Sequence, residues 1–375
     1  MIIVIESMGG GGAQQVVASL LRHWTQMGLE VHLITLRPAD TDVFDVPQAV
    51  RRQVLGEANS RNFLIALRNN LRRVQALRGA LRESGAGVVL SFVTATNVLT
   101  ILASLWLRCR VIVSERNDPR LQKIPWVWKL LRRVVYPLAD FVTANSRAAV
   151  ATLAEMGVSK RLTWVPNPLR HPNSCDAAKR EDGSHVMLAV GRLHHQKGYD
   201  ILLKAFCVAV PAMAGWRLRI LGAGALESEL RVLSDQLGIG GRVDFLGYLP
   251  DPFPYYKAAD LFVMASRYEG SPNALWEAMS CGVPAIVSSN IAGALEIMEH
   301  GKSGWIFPCD DVDALAAAMR ELAGRHDLRI RLGRAGQQAV QIFADDKVFG
   351  IWDELIRAAT PVAGNSFPKR VGQGR

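Results

Sequence analysis

Twice along the chain, short apolar runs alternate with longer amphipathic segments, and this alternation leaves few folds open. The first series runs "IIVIES", a helical stretch over 13–27, "VHLITL", a basic helix ending at Arg82, "GVVLSF", a helix, "RVIVSE", a helix, "FVTANS", a helix and "LTWVPNP". Strand-then-helix order demands a parallel sheet with helices on both faces. Residues 171–184, "HPNSCDAAKREDGS", are polar and lack periodicity, so they read as a linker. The alternation then restarts with "VMLAVG", "WRLRILG", "RVDFLG", "LFVMAS" and "PAIVS". The expectation is two Rossmann-like domains, 1–170 and 185–360, joined by that linker, with 361–375 as a disordered tail. A length of 375 residues, 49% hydrophobic, suffices for two cores.

One stretch invites a membrane reading. Residues 85–107, "GAGVVLSFVTATNVLTILASLWL", carry no charge and approach bilayer-spanning length. Thr94, Thr96 and Asn97 interrupt the run, so a strand followed by a buried helix is expected instead. The five cysteines are odd in number, scattered and without a C-x-x-C pair, which argues against a disulfide framework or a zinc site. "MIIVIESMGGGG" lacks the basic start of a signal peptide. These features place the chain in the reducing cytoplasm.

The net charge of +10 points to an anionic partner. Residues 51–82 hold Arg51, Arg52, Arg61, Arg68, Arg72, Arg73, Arg78 and Arg82 against the single acid Glu57. Residues 120–136 interleave Arg120, Lys123, Lys129, Arg132 and Arg133 with Trp126, Trp128 and Tyr136. No nucleic-acid module is visible, so nucleic acid is set aside as a partner. The composition of 120–136 suits an anionic membrane surface, with Trp126, Trp128, Leu130, Leu131, Val134 and Val135 meeting the acyl boundary.

Three stretches carry chemistry. "MGGGGAQQVV" follows the first strand; its glycines permit close backbone approach, and the helix behind them offers N–H groups to an anion. It lacks G-x-G-x-x-G spacing, and the second strand ends in Arg37 instead of an acid for a ribose. In "VMLAVGRLHHQKGYD", Arg192 and Lys197 follow a strand end, where two cations suit a diphosphate. In "RYEGSPNALWEAMSCGVPAIVS", Glu269 precedes a helix read over 274–280, and Glu277 lies about two turns into it. A loop carboxylate takes sugar hydroxyls, the helix start receives phosphate, and the second carboxylate reaches another part of the same ligand. A glycosidase pair would need the two acids across a scissile bond with one held protonated, and nothing supports that here.

"VGRLHHQKG", "SRYEGSPNALWEAMSCGVPAIVS" and "GKSGWIFPCDDVDALAAAM" together resemble the family 4 retaining glycosyltransferases of GT-B fold, in which two Rossmann-like domains face a central cleft. "GGGGAQQVV" sits where that family has its N-terminal glycine loop, and "VPNPL" where its first domain closes. The resemblance implies a nucleotide-sugar donor, expected to be UDP-linked, held by Gly11, Gly12, Arg192, Lys197, Glu269, Gly270, Ser271, Asn273, Ala274 and Glu277. Arg192 and Lys197 would bind the diphosphate, Glu269 the sugar hydroxyls and Glu277 the ribose; Glu269, Arg192 and Lys197 form the catalytic set. Neither a metal nor a cofactor is implied. Many relatives carry a histidine after the strand matching "RVIVSE"; Arg116 follows it here and becomes the candidate sugar contact. Gln14 likewise stands where relatives often have glutamate. "SFVTATNVLTILASLWLRCRVIVSERNDP" further resembles the bacterial branch that extends lipid-linked or exopolysaccharide glycans. The implied acceptor is a polyprenyl diphosphate-linked glycan, met at the inner membrane face. A nucleotide-sugar epimerase of the same fold is the alternative.

Overall fold

The computed structural model describes residues 1–56, 63–117, 119, 120, 122, 124–158, 161–170, 176–178 and 183–360. Arg61, Lys123, most of the expected linker and the whole of the expected tail lie outside the described residues. The first unit contains β1 (Ile2–Ile5), α1 (Gly12–Gln26), β2 (His32–Thr35), β3 (Arg51–Val54), α2 (Phe63–Ser84), β4 (Val88–Phe92) and α3 (Thr94–Ser104). It continues with β5 (Arg110–Glu115), α4 (Trp126–Val135), β6 (Phe141–Ala144), α5 (Arg147–Glu155) and β7 (Leu162–Trp164). The strands pair in parallel in the order β3-β2-β1-β4-β5-β6-β7. The run 88–92 is buried at every position, as a strand covered on both faces must be. The uncharged segment 85–107 thus resolves into β4 and the nearly sequestered α3. Among the described residues no helix is long and apolar enough to cross a membrane.

Strand periodicity sorts the helices by face. Ile3, Ile5, Leu90 and Ile112 point to α1, while Ile2, Val4 and Val89 meet Leu77, Ala80 and Leu81 of α2. Val111, Val113 and Val142 continue that second face beneath α3 and α4. The strand β3 lies where a basic helix is expected. "RRQV" shows no apolar alternation because it is an edge strand, three of its four side chains exposed; Arg52 turns back to ion-pair with Asp42.

The second unit contains β8 (His185–Val190), α6 (Tyr199–Ala209), β9 (Trp216–Leu221), α7 (Glu227–Gln236), β10 (Val243–Phe245), α8 (Phe253–Ala258) and β11 (Leu261–Met264). After these come α9 (Asn273–Ser280), β12 (Ala285–Ser288), α10 (Ala292–Leu295), β13 (Trp305–Phe307), α11 (Val312–Gly324) and α12 (His326–Ala339). Its strands are also all parallel, in the order β10-β9-β8-β11-β12-β13. Met187, Leu218, Leu261 and Val263 pack on Leu202 and Phe206 of α6 and on Leu315 and Met319 of α11.

The last helix, α13 (Asp345–Ala359), departs from the expected domain limits. It clusters with the first unit and not with 185–344. Val348, Trp352 and Ile356 enter the core beneath α1. Asp353 accepts from Trp24 Nε1 at 2.9 Å and bonds His23 Nε2 at 3.2 Å. Amphipathic spacing shows that a helix has a buried face, but not which core receives it.

A buried polar network fixes the loop after β5. Glu115, wholly buried, accepts from Thr94 Oγ1 at 2.8 Å and from Tyr136 O–H at 3.0 Å, with Arg132 Nη1 at 3.7 Å. Arg132 also donates to Gln122 Oε1 at 2.9 Å and to the Pro119 carbonyl at 3.2 Å. Burial raises the Glu115 pKa, and Arg132 opposes that rise. Removing one member of such a pair costs about 3–5 kcal/mol. Arg132→Met should therefore destabilise the protein by about 3 kcal/mol in denaturant melts, because it strands a buried carboxylate. Glu115→Gln combined with Arg132→Met should lose clearly less than the sum of the single changes.

Helix α4 redistributes the residues expected at a membrane. Val135 and Arg132 are buried, and Trp128 and Leu131 pack against the core. Trp126, Leu130 and Val134 face outward with Lys129 and Arg133. Arg120 is taken by Glu155 at 2.7 Å.

Candidate active site

In the second unit β9 and β10 extend the sheet to one side of β8, and β11, β12 and β13 to the other. Strand order therefore reverses between β8 and β11, and ligands of such sheets sit beyond the strand carboxyl ends at that point. The loops that leave there are 191–198 and 265–272, which carry Arg192, Lys197 and Glu269.

The two loops are tied together. The Arg267 N–H donates to the Gln196 carbonyl at 2.8 Å, and Gln196 Nε2 to the Tyr268 carbonyl at 2.9 Å. Arg267 grips both oxygens of Asp200 at 3.0 and 2.8 Å and Asp310 at 2.8 Å, which raises its pKa and keeps it charged. Gly198 adopts φ +66, and a Cβ there would lie 2.1 Å from the Ala265 carbonyl oxygen. Only glycine lets the loops approach so closely.

Lys197 Nζ ion-pairs with Glu269 Oε1, and Ser266 Oγ donates to the same oxygen at 3.0 Å. Both charged side chains are largely buried. The ammonium and carboxylate thus compensate each other, and a ligand entering here meets a joined pair. Arg192 is different: it is exposed, and no protein group among the described residues holds its guanidinium. His194 and His195 are exposed; His194 Nδ1 accepts the Gln196 N–H at 3.2 Å, a capping role.

Helix α9 begins at Asn273, so Glu277 lies just over one turn from its start, nearer than the expected two. No side chain caps the helix, and Pro272 before it has no N–H. The Asn273 N–H donates to the Ser271 carbonyl at 3.0 Å. Gly270 is braced from behind by Gly293, where a Cβ would fall 2.8 Å from the Gly270 carbonyl oxygen. Glu277 is buried and accepts from Tyr256 O–H at 2.9 Å. Burial, then Glu277 itself, hold the Tyr256 phenol well above its ordinary pKa, so it stays a donor.

Gly11 and Gly12 belong to the first unit. Both are exposed, and Gly11 is extended at the uncapped start of α1. Arg116 turns inward. Its Nη1 donates to the Val165 carbonyl at 3.1 Å and to Asn167 Oδ1 at 2.9 Å, and its guanidinium stacks 5.3 Å from each of Phe92 and Trp352. Burial lowers its pKa to about 9. A cation clamped between two rings is anchored inside the domain, with its Nε and Nη2 unpaired among the described residues.

Two family models match: Glycosyltransferase Family 4 over residues 10–171 and Glycosyl transferases group 1 over residues 174–339. The chain belongs to the family 4 glycosyltransferases. This glycosyltransferase is 26% identical over 354 residues to the GalNAc-alpha-(1->4)-GalNAc-alpha-(1->3)-diNAcBac-PP-undecaprenol alpha-1,4-N-acetyl-D-galactosaminyltransferase of Campylobacter jejuni, covering 94% of this chain and 97% of that one. Its fold matches sucrose-phosphate synthase from Thermosynechococcus elongatus with a TM-score of 0.82 at 20% identity, covering 95% and 98% of the two chains. It matches Anabaena HepE, solved in complex with UDP, with a TM-score of 0.79 at 18% identity, covering 95% and 99%. These likenesses make the fold GT-B.

Sequence reasoning missed Ser266, Arg267 and Tyr256. Ser266 and Arg267 stand within three residues of Glu269 and carry no distinguishing pattern. Tyr256 is 21 positions from its partner Glu277, and only the folded sheet joins them.

Proposed function

We propose that this glycosyltransferase moves a hexose or N-acetylhexosamine, with retention and without a metal, from a UDP-sugar to a polyprenyl diphosphate-linked glycan. The observation that carries this reading is the Lys197–Glu269 ion pair at the β8/β11 reversal, with Arg192 on the same loop as Lys197 and Glu277 one turn into the adjoining helix. Support for the nucleotide comes from the UDP complex of Anabaena HepE. Support for the acceptor comes from the undecaprenol-linked substrate in the name of the Campylobacter relative.

In the front-side reaction that the family resemblance implies, the bond between the sugar C1 and the β-phosphate oxygen breaks with its electrons going to phosphate. The acceptor hydroxyl attacks C1 on the same face and passes its proton to that phosphate oxygen. The chain's part is to position the reactants and stabilise the departing charge. Arg192 closes on two phosphate oxygens, Lys197 bridges phosphate and Glu269, and Glu269 orients the sugar hydroxyls.

The test is a panel of UDP- and GDP-sugars with an undecaprenyl diphosphate-linked acceptor, after chelation of divalent ions. Transfer with the donor's anomeric configuration preserved by NMR is the expected result. An inverted product overturns retention. Isomerised donor formed without acceptor would instead indicate an epimerase.

A further inference from the structure

Helices α2, α3 and α4 lie side by side on one face of the first unit's sheet, with α3 covered and its neighbours forming the outer layer. On α4, Trp126, Leu130 and Val134 follow one another four residues apart and are 72%, 53% and 62% exposed. Leu138 continues the row beyond the helix at 58%. Lys129 and Arg133 are interleaved with it, and α4 contains no acid. On α2, Arg68 and Arg72 are exposed beside Leu67 and Leu71, again without an acid before Glu83. A row of large apolar side chains between cations is costly in water and matches the boundary where acyl chains meet anionic headgroups.

We propose that the α2–α4 face is a seat for an anionic bilayer, with Trp126, Leu130 and Val134 entering the acyl boundary and Lys129, Arg133, Arg68 and Arg72 meeting headgroups. This rests on the reading of a lipid-linked acceptor, which obliges the enzyme to work at a bilayer. Charge complementarity selects an anionic lipid surface over a second copy of this chain, because two such faces would bring like charges together.

The test uses the full chain with phosphatidylglycerol–phosphatidylcholine vesicles and with phosphatidylcholine vesicles. Flotation with the anionic vesicles is expected to weaken as salt rises. Lys129→Glu with Arg133→Glu should weaken binding about tenfold or more at low salt. Leu130→Ser with Val134→Ser should weaken it at every salt concentration. Brominated lipid should quench tryptophan emission in the wild type and less in Trp126→Phe. UDP affinity should stay unchanged in all variants. Equal binding to both vesicles, no binding, unaffected variants, or a concentration-dependent dimer that protects Trp126 overturns the proposal. UDP affinity is measured separately, so a failed seat and a failed donor site give different results.

A second, independent observation concerns Tyr256. Its ring is fixed edge-on by Phe253 at 5.7 Å and Phe262 at 6.0 Å, and its hydroxyl donates to Glu277. The geometry points to Tyr256 as the positioning residue that sets the plane of the Glu277 carboxylate for the nucleoside ribose. Tyr256→Phe retains the packing and should raise the Kd for UDP about three- to tenfold while leaving kcat near its original value. In a Glu277→Gln background the same change should add little. An additive loss in the double variant, or equal losses in kcat and UDP affinity, overturns the assignment. Absence of UDP binding in the wild type overturns the donor-site reading and this assignment with it.

Discussion

Glu269→Ala should reduce transfer by about 10²–10³-fold, the scale of losing one preorganised polar contact to the reacting group. Its affinity for UDP should nevertheless hold or improve. Lys197 is neutralised by Glu269, whose carboxylate also accepts from Ser266. On the proposed reading, deleting that carboxylate would remove the contact to the sugar but leave the whole ammonium charge for the phosphates. Glu277→Ala should behave oppositely: it is buried beside Tyr256, and on the proposed reading it acts on the nucleoside. A charged hydrogen bond contributes about 1.5–3 kcal/mol, so UDP should bind about 10–150-fold more weakly. Calorimetric titration of both variants with UDP, alongside single-turnover transfer, separates the roles. Equal loss of UDP affinity would refute the division.

The parts of this site that were legible in the sequence are those fixed by local pattern. Apolar runs announced the strands, and the residues after a strand in a parallel sheet must stand at its carboxyl edge, so Arg192 and Lys197 could be placed. The same logic placed Glu269 after β11. Illegible were the contacts made through the third dimension: Arg267 locking the two loops, Tyr256 behind Glu277, and α13 returning to the first unit. Arg116 shows the limit of carrying a role across by position. Its place after β5 fits the resemblance, yet no sequence pattern showed that Phe92 and Trp352 would enclose its guanidinium. The same holds on α4, where composition named six apolar residues and the sheet beneath decided which of them face out.

Arg192→Ala should lower kcat/KM about a hundredfold or more, most of it in kcat. The physical reason lies in which of the two cations the protein itself compensates. Lys197 spends its charge on Glu269, whereas Arg192 is exposed with no carboxylate among the described residues to satisfy it. A guanidinium clamps two oxygens at once, and its attraction grows as the diphosphate gains charge in the transition state. Arg192→Lys should therefore recover only part of the loss, since an ammonium supplies charge without the fork. Thermal stability should change little in either variant because the side chain is exposed. Lys197→Ala is expected to be worse than its lost charge alone, for it leaves Glu269 facing the phosphates as a bare anion. Adding Glu269→Gln to that variant should restore part of the UDP affinity while transfer stays low. Steady-state kinetics on the four proteins, with UDP inhibition constants alongside, check the series. Near-normal turnover in Arg192→Ala would remove the diphosphate from this edge of the sheet.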